Sequence, residues 1–210
     1  MFDIQLVLQI FFWVILIGAT GWLIYRFSPV YKTDALRPGE LPEDEHENRQ
    51  AVLRSLRRYA AANDFEVVEP LAISSQKGST DLDAVLVGWF GVLGVKCLGY
   101  GGTVYGSAEE EQWVQEINGQ RRTFANPLNR AQESARILRD TLFAAKIKQV
   151  PVETVVVFTG KNTQLALPRS TGHYTVEHFN TYLHSAHFEQ DKKVEVAPVA
   201  QALRQASSQQ

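Results

Sequence analysis

Between Ile4 and Tyr25 the chain reads "IQLVLQIFFWVILIGATGWLIY", 22 residues without a charged side chain. A helix of that length spans the roughly 30 Å hydrocarbon core of a bilayer. A cleaved signal peptide would carry a basic leading region, a shorter apolar stretch and an A-x-A site, and the segment has none of these. The sequence therefore predicts a transmembrane anchor over residues 1–26, with the membrane contacted through residues 4–25. Arg26, Lys32 and Arg37 follow the apolar run, whereas only Asp3 precedes it. The positive-inside bias then predicts a single-pass protein of the cell membrane whose remaining chain faces the cytoplasm.

Beyond the anchor, a chain of 210 residues leaves room for one domain with a proper core. Its formal net charge of −2 gives no global basic field, so any contact with nucleic acid must use a local patch. The lone cysteine, Cys97, excludes an internal disulfide and reads as a small core residue suited to a reducing compartment. The histidines are scattered without ligand spacing, which excludes a zinc cluster.

An acidic, proline-bearing linker is expected over residues 27–44, a domain over 45–205 and a polar tail over 206–210. Val52, Leu53, Leu56, Tyr59 and Ala60 fall on one face of a helix running from about Glu45 to Ala62. At about 100° per residue, Glu45 projects within roughly 20° of Leu56, on the inward face. "FEVVEPLAI", interrupted by Pro70, "LDAVLVG", "GVLGVKCLG" and "GTVYG" read as strands. "WVQEI" and "QRRTF" flank Asn118-Gly119, a hairpin signal. Asn126-Pro127 is a helix start, with Ala131, Ala135, Leu138 and Leu142 on its inward face. "TVVVFTG" is apolar enough for a sheet interior, "VEHFNTYLHSAHF" reads as a third helix and "APVAQALRQ" as a short fourth. This order indicates an α/β or α+β fold whose mixed central sheet is flanked by helices.

Within "DAVLVGWFGVLGVKC" an aspartate opens one apolar strand and a lysine ends the next. Charges at strand ends are ordinary. The ordered series of segments is more specific: "STDLDAVLVG", "GVLGVKCLGYGGTVYG", Trp113, "FANPLNRAQESARIL" and "VETVVVFTG". Together, over roughly residues 45–160, they resemble the nuclease-related domain, NERD, of the PD-(D/E)xK restriction-endonuclease-like group. The resemblance implies a restriction-endonuclease-like core and phosphodiester hydrolysis dependent on Mg²⁺, or binding of DNA or RNA. It implies that Asp83 binds the metal and Lys96 orients the attacking water or stabilises developing charge. It places Glu45 at the family's first-helix glutamate and makes Asn126 and Pro127 its "NP" element.

Three positions depart from that pattern. Gly94 stands where the family's E-x-K carries its carboxylate. Arg130 stands where a glutamine is frequent, with Gln132 nearby, and Asp44-Glu45 replaces Gly-Glu. Hard divalent ions need several oxygen ligands. The remaining metal set is Asp83 and the Val95 carbonyl, joined by Glu45 or Asp81, and Asp83 becomes the expected partner of Lys96. Arg130, Gln132 and Tyr100 are the expected nucleic-acid contacts, Tyr100 and Tyr105 being able to stack on a base or simply to pack. The competing expectation is a catalytically inactive domain that binds a protein partner at the cytoplasmic membrane face. The remaining basic clusters, at Arg54, Arg57 and Arg58, at Arg121 and Arg122, and at Arg136 and Arg139, read as solvated faces.

Overall fold

Val52, Leu53, Leu56 and Ala60 recur at helical spacing, and all four are buried against a sheet. The computed structural model describes residues 43–75, 78–168 and 172–208. The expected anchor over 1–26 and nearly all of the linker lie outside these residues. Among the described residues no helix is long and apolar enough to cross a membrane.

The chain begins with α1 (Glu43–Ala62), β1 (Glu66–Val68), β2 (Leu71–Ser75), β3 (Gly78–Leu82), β4 (Ala84–Gly88) and β5 (Gly91–Leu98). It continues through β6 (Thr103–Tyr105), β7 (Gln112–Ile117), β8 (Gln120–Ala125), α2 (Pro127–Ala144) and β9 (Val152–Phe158). β10 (Gln164–Ala166), β11 (His173–Thr175), α3 (Val176–Leu183) and α4 (Val196–Ser208) complete it. The main sheet has the order β1-β4-β5-β9-β11. β1, β4 and β5 pair antiparallel, while β5, β9 and β11 pair parallel, so the sheet is mixed as expected.

The alternation of side chains along each strand sorts the core into two layers. Ala84, Leu86, Leu93, Val95, Val155 and Val157 meet α1 and α3 on one face. Val85, Val87 and Val92 meet Ile137, Leu138 and Leu142 of α2, and Val199, Ala200 and Leu203 of α4, on the other. Burying each of the larger aliphatic side chains contributes roughly 1.5–3 kcal/mol. A second sheet, β10-β6-β7-β8, packs through Val104 and Trp113 onto Leu128, Ala131, Val156 and Phe158.

Asn118 and Gly119 both take positive φ, 52° and 75°, which the tight turn between β7 and β8 requires. Pro70, expected to interrupt one strand, instead separates two that go to different partners. β1 joins the main sheet, while β2 pairs with β3 in a hairpin of its own. The third helix is shorter than expected: α3 ends at Leu183, and a turn carries the chain through Phe188.

Candidate functional site

The parallel strands β5, β9 and β11 end at Leu98, Phe158 and Thr175, and the polar residues singled out in the sequence gather at this end. The β4–β5 ladder closes with Ala84 opposite Val95. One residue earlier the chain bends at Asp83, whose amide donates to the Val95 carbonyl at 3.0 Å. The bend aims the Asp83 carboxylate toward α1. Its Oδ2 accepts from the Cys97 amide at 2.6 Å, and its Oδ1 is ion-paired with Arg49. Asp83 is 5% exposed and Arg49 34%. A carboxylate so deeply buried stays charged at acceptable cost only with such partners. The Cys97 thiol beside it is pushed up to about 12, by burial first and by the Asp83 charge second, which makes it a poor nucleophile at neutral pH.

Lys96 lies on the opposite face of β5, the α2 side shared with Val92. Its partner is Asp81, not the expected Asp83: Lys96 Nζ donates to Asp81 Oδ2 at 2.5 Å. Arg130 of α2 stands 3.7 Å from the other oxygen of Asp81. This triad rims a cavity of about 380 Å³ lined by Leu98, Tyr100, Phe124, Ala131 and Val156. Tyr100 stacks on Phe124, with ring centroids 4.1 Å apart and planes 17° from parallel.

Gly94 points to the same side as Lys96. A Cβ built there would stand 2.9 Å from Leu82 Cδ1 and 3.2 Å from Thr154 Oγ1. The position of the family's carboxylate is therefore occupied by an aliphatic side chain of β3. Thr154 Oγ1 is buried and finds no hydrogen-bond partner among the described residues. As arranged, this donor set does not fit a divalent ion. Both Asp83 oxygens, the Val95 carbonyl and both Asp81 oxygens have other partners. No group of three His, Cys, Asp or Glu side chains converges among the described residues.

The sequence-derived residues thus divide between two faces of one strand end. Asp83 lies on the α1 side. Lys96, Asp81, Arg130 and Tyr100 lie around the cavity. Gln132 is exposed and is not part of its lining. Glu45 sits in the first turn of α1, one turn before Arg49.

Asn126 and Pro127 line the cavity, but the work of Asn126 is architectural. Asn126 Oδ1 caps α2 by accepting from the Leu128 amide at 2.9 Å. Its Nδ2 donates to the carbonyls of Ser107, Ala108 and Glu110, pinning the loop before β7. The glycines of "GYGGTVYG" bend a strand connection against the start of β10: Gln164 donates its amide to the Gly102 carbonyl at 2.8 Å.

Sequence reasoning missed Arg49, Phe124 and Ser134. Arg49 had a signal: it lies seven residues before Leu56 and so projects within roughly 20° of that buried leucine. An arginine on an inward helical face needs an acid beneath it. Phe124 and Ser134 gave no comparable sign, because their neighbours are set by the packing of β8 and α2.

No curated protein and no solved structure shows significant similarity to this chain. The family model described as nuclease-related domain, NERD, matches residues 44–159, more than half of the sequence. That span contains Arg49, Asp81, Asp83, Lys96, Asn126 and Arg130, and it ends one residue beyond β9. The protein belongs to the nuclease-related domain family.

Proposed function

We propose that this domain binds nucleic-acid phosphates at Lys96 and Arg130 and does so without a tightly held Mg²⁺. One observation supports this above the others: Arg49 neutralises Asp83, leaving Lys96 on the other face of β5 beside an accessible cavity. Lys96 and Arg130 together outweigh the single charge of Asp81 at that rim. In this reading the hydrolytic site of the family has become a binding site. Residues 4–25 tether the domain to the cytoplasmic face of the membrane, where the bound strand is held.

A second cleft, of about 1050 Å³, favours a second reading. Its described lining includes Tyr174, Tyr182, His173 and Leu165 but no Lys or Arg. A groove of that character suits a protein partner better than a phosphate backbone. In this reading the tethered domain is an interaction module.

Fluorescence anisotropy of a labelled oligonucleotide with the full chain in nanodiscs separates these readings. Phosphate binding predicts affinity that persists in EDTA, falls about three- to tenfold in Lys96→Met and rises in Asp81→Asn, which removes the competing anion. Absence of binding in both EDTA and Mg²⁺ would leave the interaction module. Mg²⁺-dependent release of fragments, lost in Asp83→Ala and Glu45→Gln, would replace both with hydrolysis.

A further inference from the structure

We infer that the cavity behind Lys96 and Arg130 takes one unstacked nucleotide, so that the domain selects single-stranded nucleic acid over duplex. This rests on the phosphate-binding reading and adds to it the form of the ligand.

Size limits what the cavity admits. At about 380 Å³ the cavity lies at the small end of ligand pockets and accepts one nucleotide, not a base pair. Its walls suit the faces of a base. Leu98, Ala131 and Val156 are apolar, and the stacked Tyr100–Phe124 pair forms an aromatic plate along one side. The charges stand at the rim, where Lys96 and Arg130 face Asp81. An apolar chamber with a net positive rim matches the flat aromatic face of a base joined to an anionic phosphate. A base in a duplex reaches such a chamber only after it has been unpaired and turned out of the stack, whereas a single strand offers it at little cost.

The same chamber predicts little sequence preference. Its two buried polar side chains, Asn126 and Ser134, already have internal partners. Asn126 holds the Leu128 amide and three carbonyls. Ser134 Oγ donates to the Arg130 carbonyl and accepts from Thr80 Oγ1, each at 2.8 Å. Neither is left to read a base edge, and stacking tolerates every base.

The test uses the full chain in nanodiscs and a fluorescein-labelled oligonucleotide, as a single strand and as a blunt duplex, with thymidine monophosphate and inorganic phosphate as competitors. The single strand is expected to bind at least about tenfold more tightly than the duplex. Thymidine monophosphate is expected to compete at concentrations where phosphate does not. Ala131→Leu, which fills the chamber and leaves the rim intact, is expected to weaken single-strand binding about tenfold and leave duplex binding unchanged. Phe124→Leu removes half of the aromatic plate and provides the same readout with less risk of overpacking. The competition experiment needs no variant.

Equal affinity for single strand and duplex, or unchanged single-strand affinity in both variants, overturns the inference. If Lys96→Met still weakens binding in that case, the phosphate reading survives and only the nucleotide chamber is lost. If neither Lys96→Met nor Arg130→Gln changes any binding, the phosphate reading fails as well.

Discussion

Arg49 and Asp83 form an ion pair that joins the first helix to the end of the main sheet, and the Cys97 amide takes the other carboxylate oxygen. The positive charge facing this aspartate comes from a side chain. The same bend that turns Asp83 toward α1 removes it from Lys96, which recruits Asp81. One change of direction in the backbone therefore fixes two ion pairs of different character, one with a buried acid and one at the surface.

Removing Arg49 leaves a buried carboxylate with only an amide donor. Because Arg49 is a third exposed, the loss in Arg49→Met is expected to be about 1–3 kcal/mol, below the cost for a fully buried pair. In urea denaturation, Asp83→Asn combined with Arg49→Met should lose less than the two single changes added together, with a coupling of about 1 kcal/mol or more. Strictly additive losses would show that the pair does not hold α1 to the sheet.

Gly94→Glu restores the side chain of the family pattern, and Leu82 must move to admit it. The expected penalty is about 1–3 kcal/mol from overpacking, read as a drop of several degrees in melting temperature. Mn²⁺ should not stabilise this variant, because Asp83 faces α1 and is paired with Arg49, and Asp81 is held by Lys96 and Arg130. Adding Lys96→Met frees Asp81, the carboxylate on the same side as residue 94, and Mn²⁺ should then raise the melting temperature. A comparable Mn²⁺ effect in the unaltered protein would contradict the assigned partners.

Asn126→Ala removes a helix cap and leaves three loop carbonyls without their shared donor. The expected loss is about 2–3 kcal/mol. Pro127→Ala should cost less than about 1 kcal/mol, since the first helical position needs no amide partner. Comparable losses in the two variants, measured by thermal unfolding, would assign the motif to helix initiation alone.

Two of the shifted groups make stability depend on pH. Burial lowers His173, so the unfolded chain binds the proton more readily, and stability should fall as pH drops below about 6.5. Burial and Asp83 push Cys97 up to about 12. Its contribution is complete below the unfolded thiol's value of about 8.5 and declines as pH rises from there toward 12. Thiol reagents at pH 8 should therefore modify Cys97 only slowly, and denaturant should release the reaction. Rapid labelling of the folded chain would refute this.

The parts of the fold governed by short-range rules were legible in the sequence. The inward face of α1, the Asn118-Gly119 turn, the capped start of α2 and the apolar run of β9 each depend on neighbours within a few positions. Pro70 marks a break in the strand pattern, but nothing local says that the segments beside it are two strands that join different sheets. β10 and β11 have three residues each, too few for a periodic pattern, and exist because β6 and β9 offer free edges. The site followed the same division. Asp83, Lys96 and Asn126 stand out through the ordered motifs that resemble the family, whereas the pairing of the charges depends on a bend at Asp83 that no residue pattern announces.

The loop that bears Tyr100 meets the turn after β9 main chain to main chain. A Cβ at Gly160 would fall 2.2 Å from the Gly101 amide nitrogen, and one at Gly101 would fall 2.7 Å from the Lys161 carbonyl oxygen. Gly119, by contrast, has open space where its side chain would be. The two kinds of glycine leave different evolutionary freedom. At Gly119 an asparagine or aspartate can be exchanged in without disturbing a neighbour, whereas Gly101 and Gly160 are a reciprocal lock in which neither can change before the other loop has moved. Substitution at the hairpin tip is therefore limited by its positive φ alone, whereas this joint admits no side chain until main chain moves.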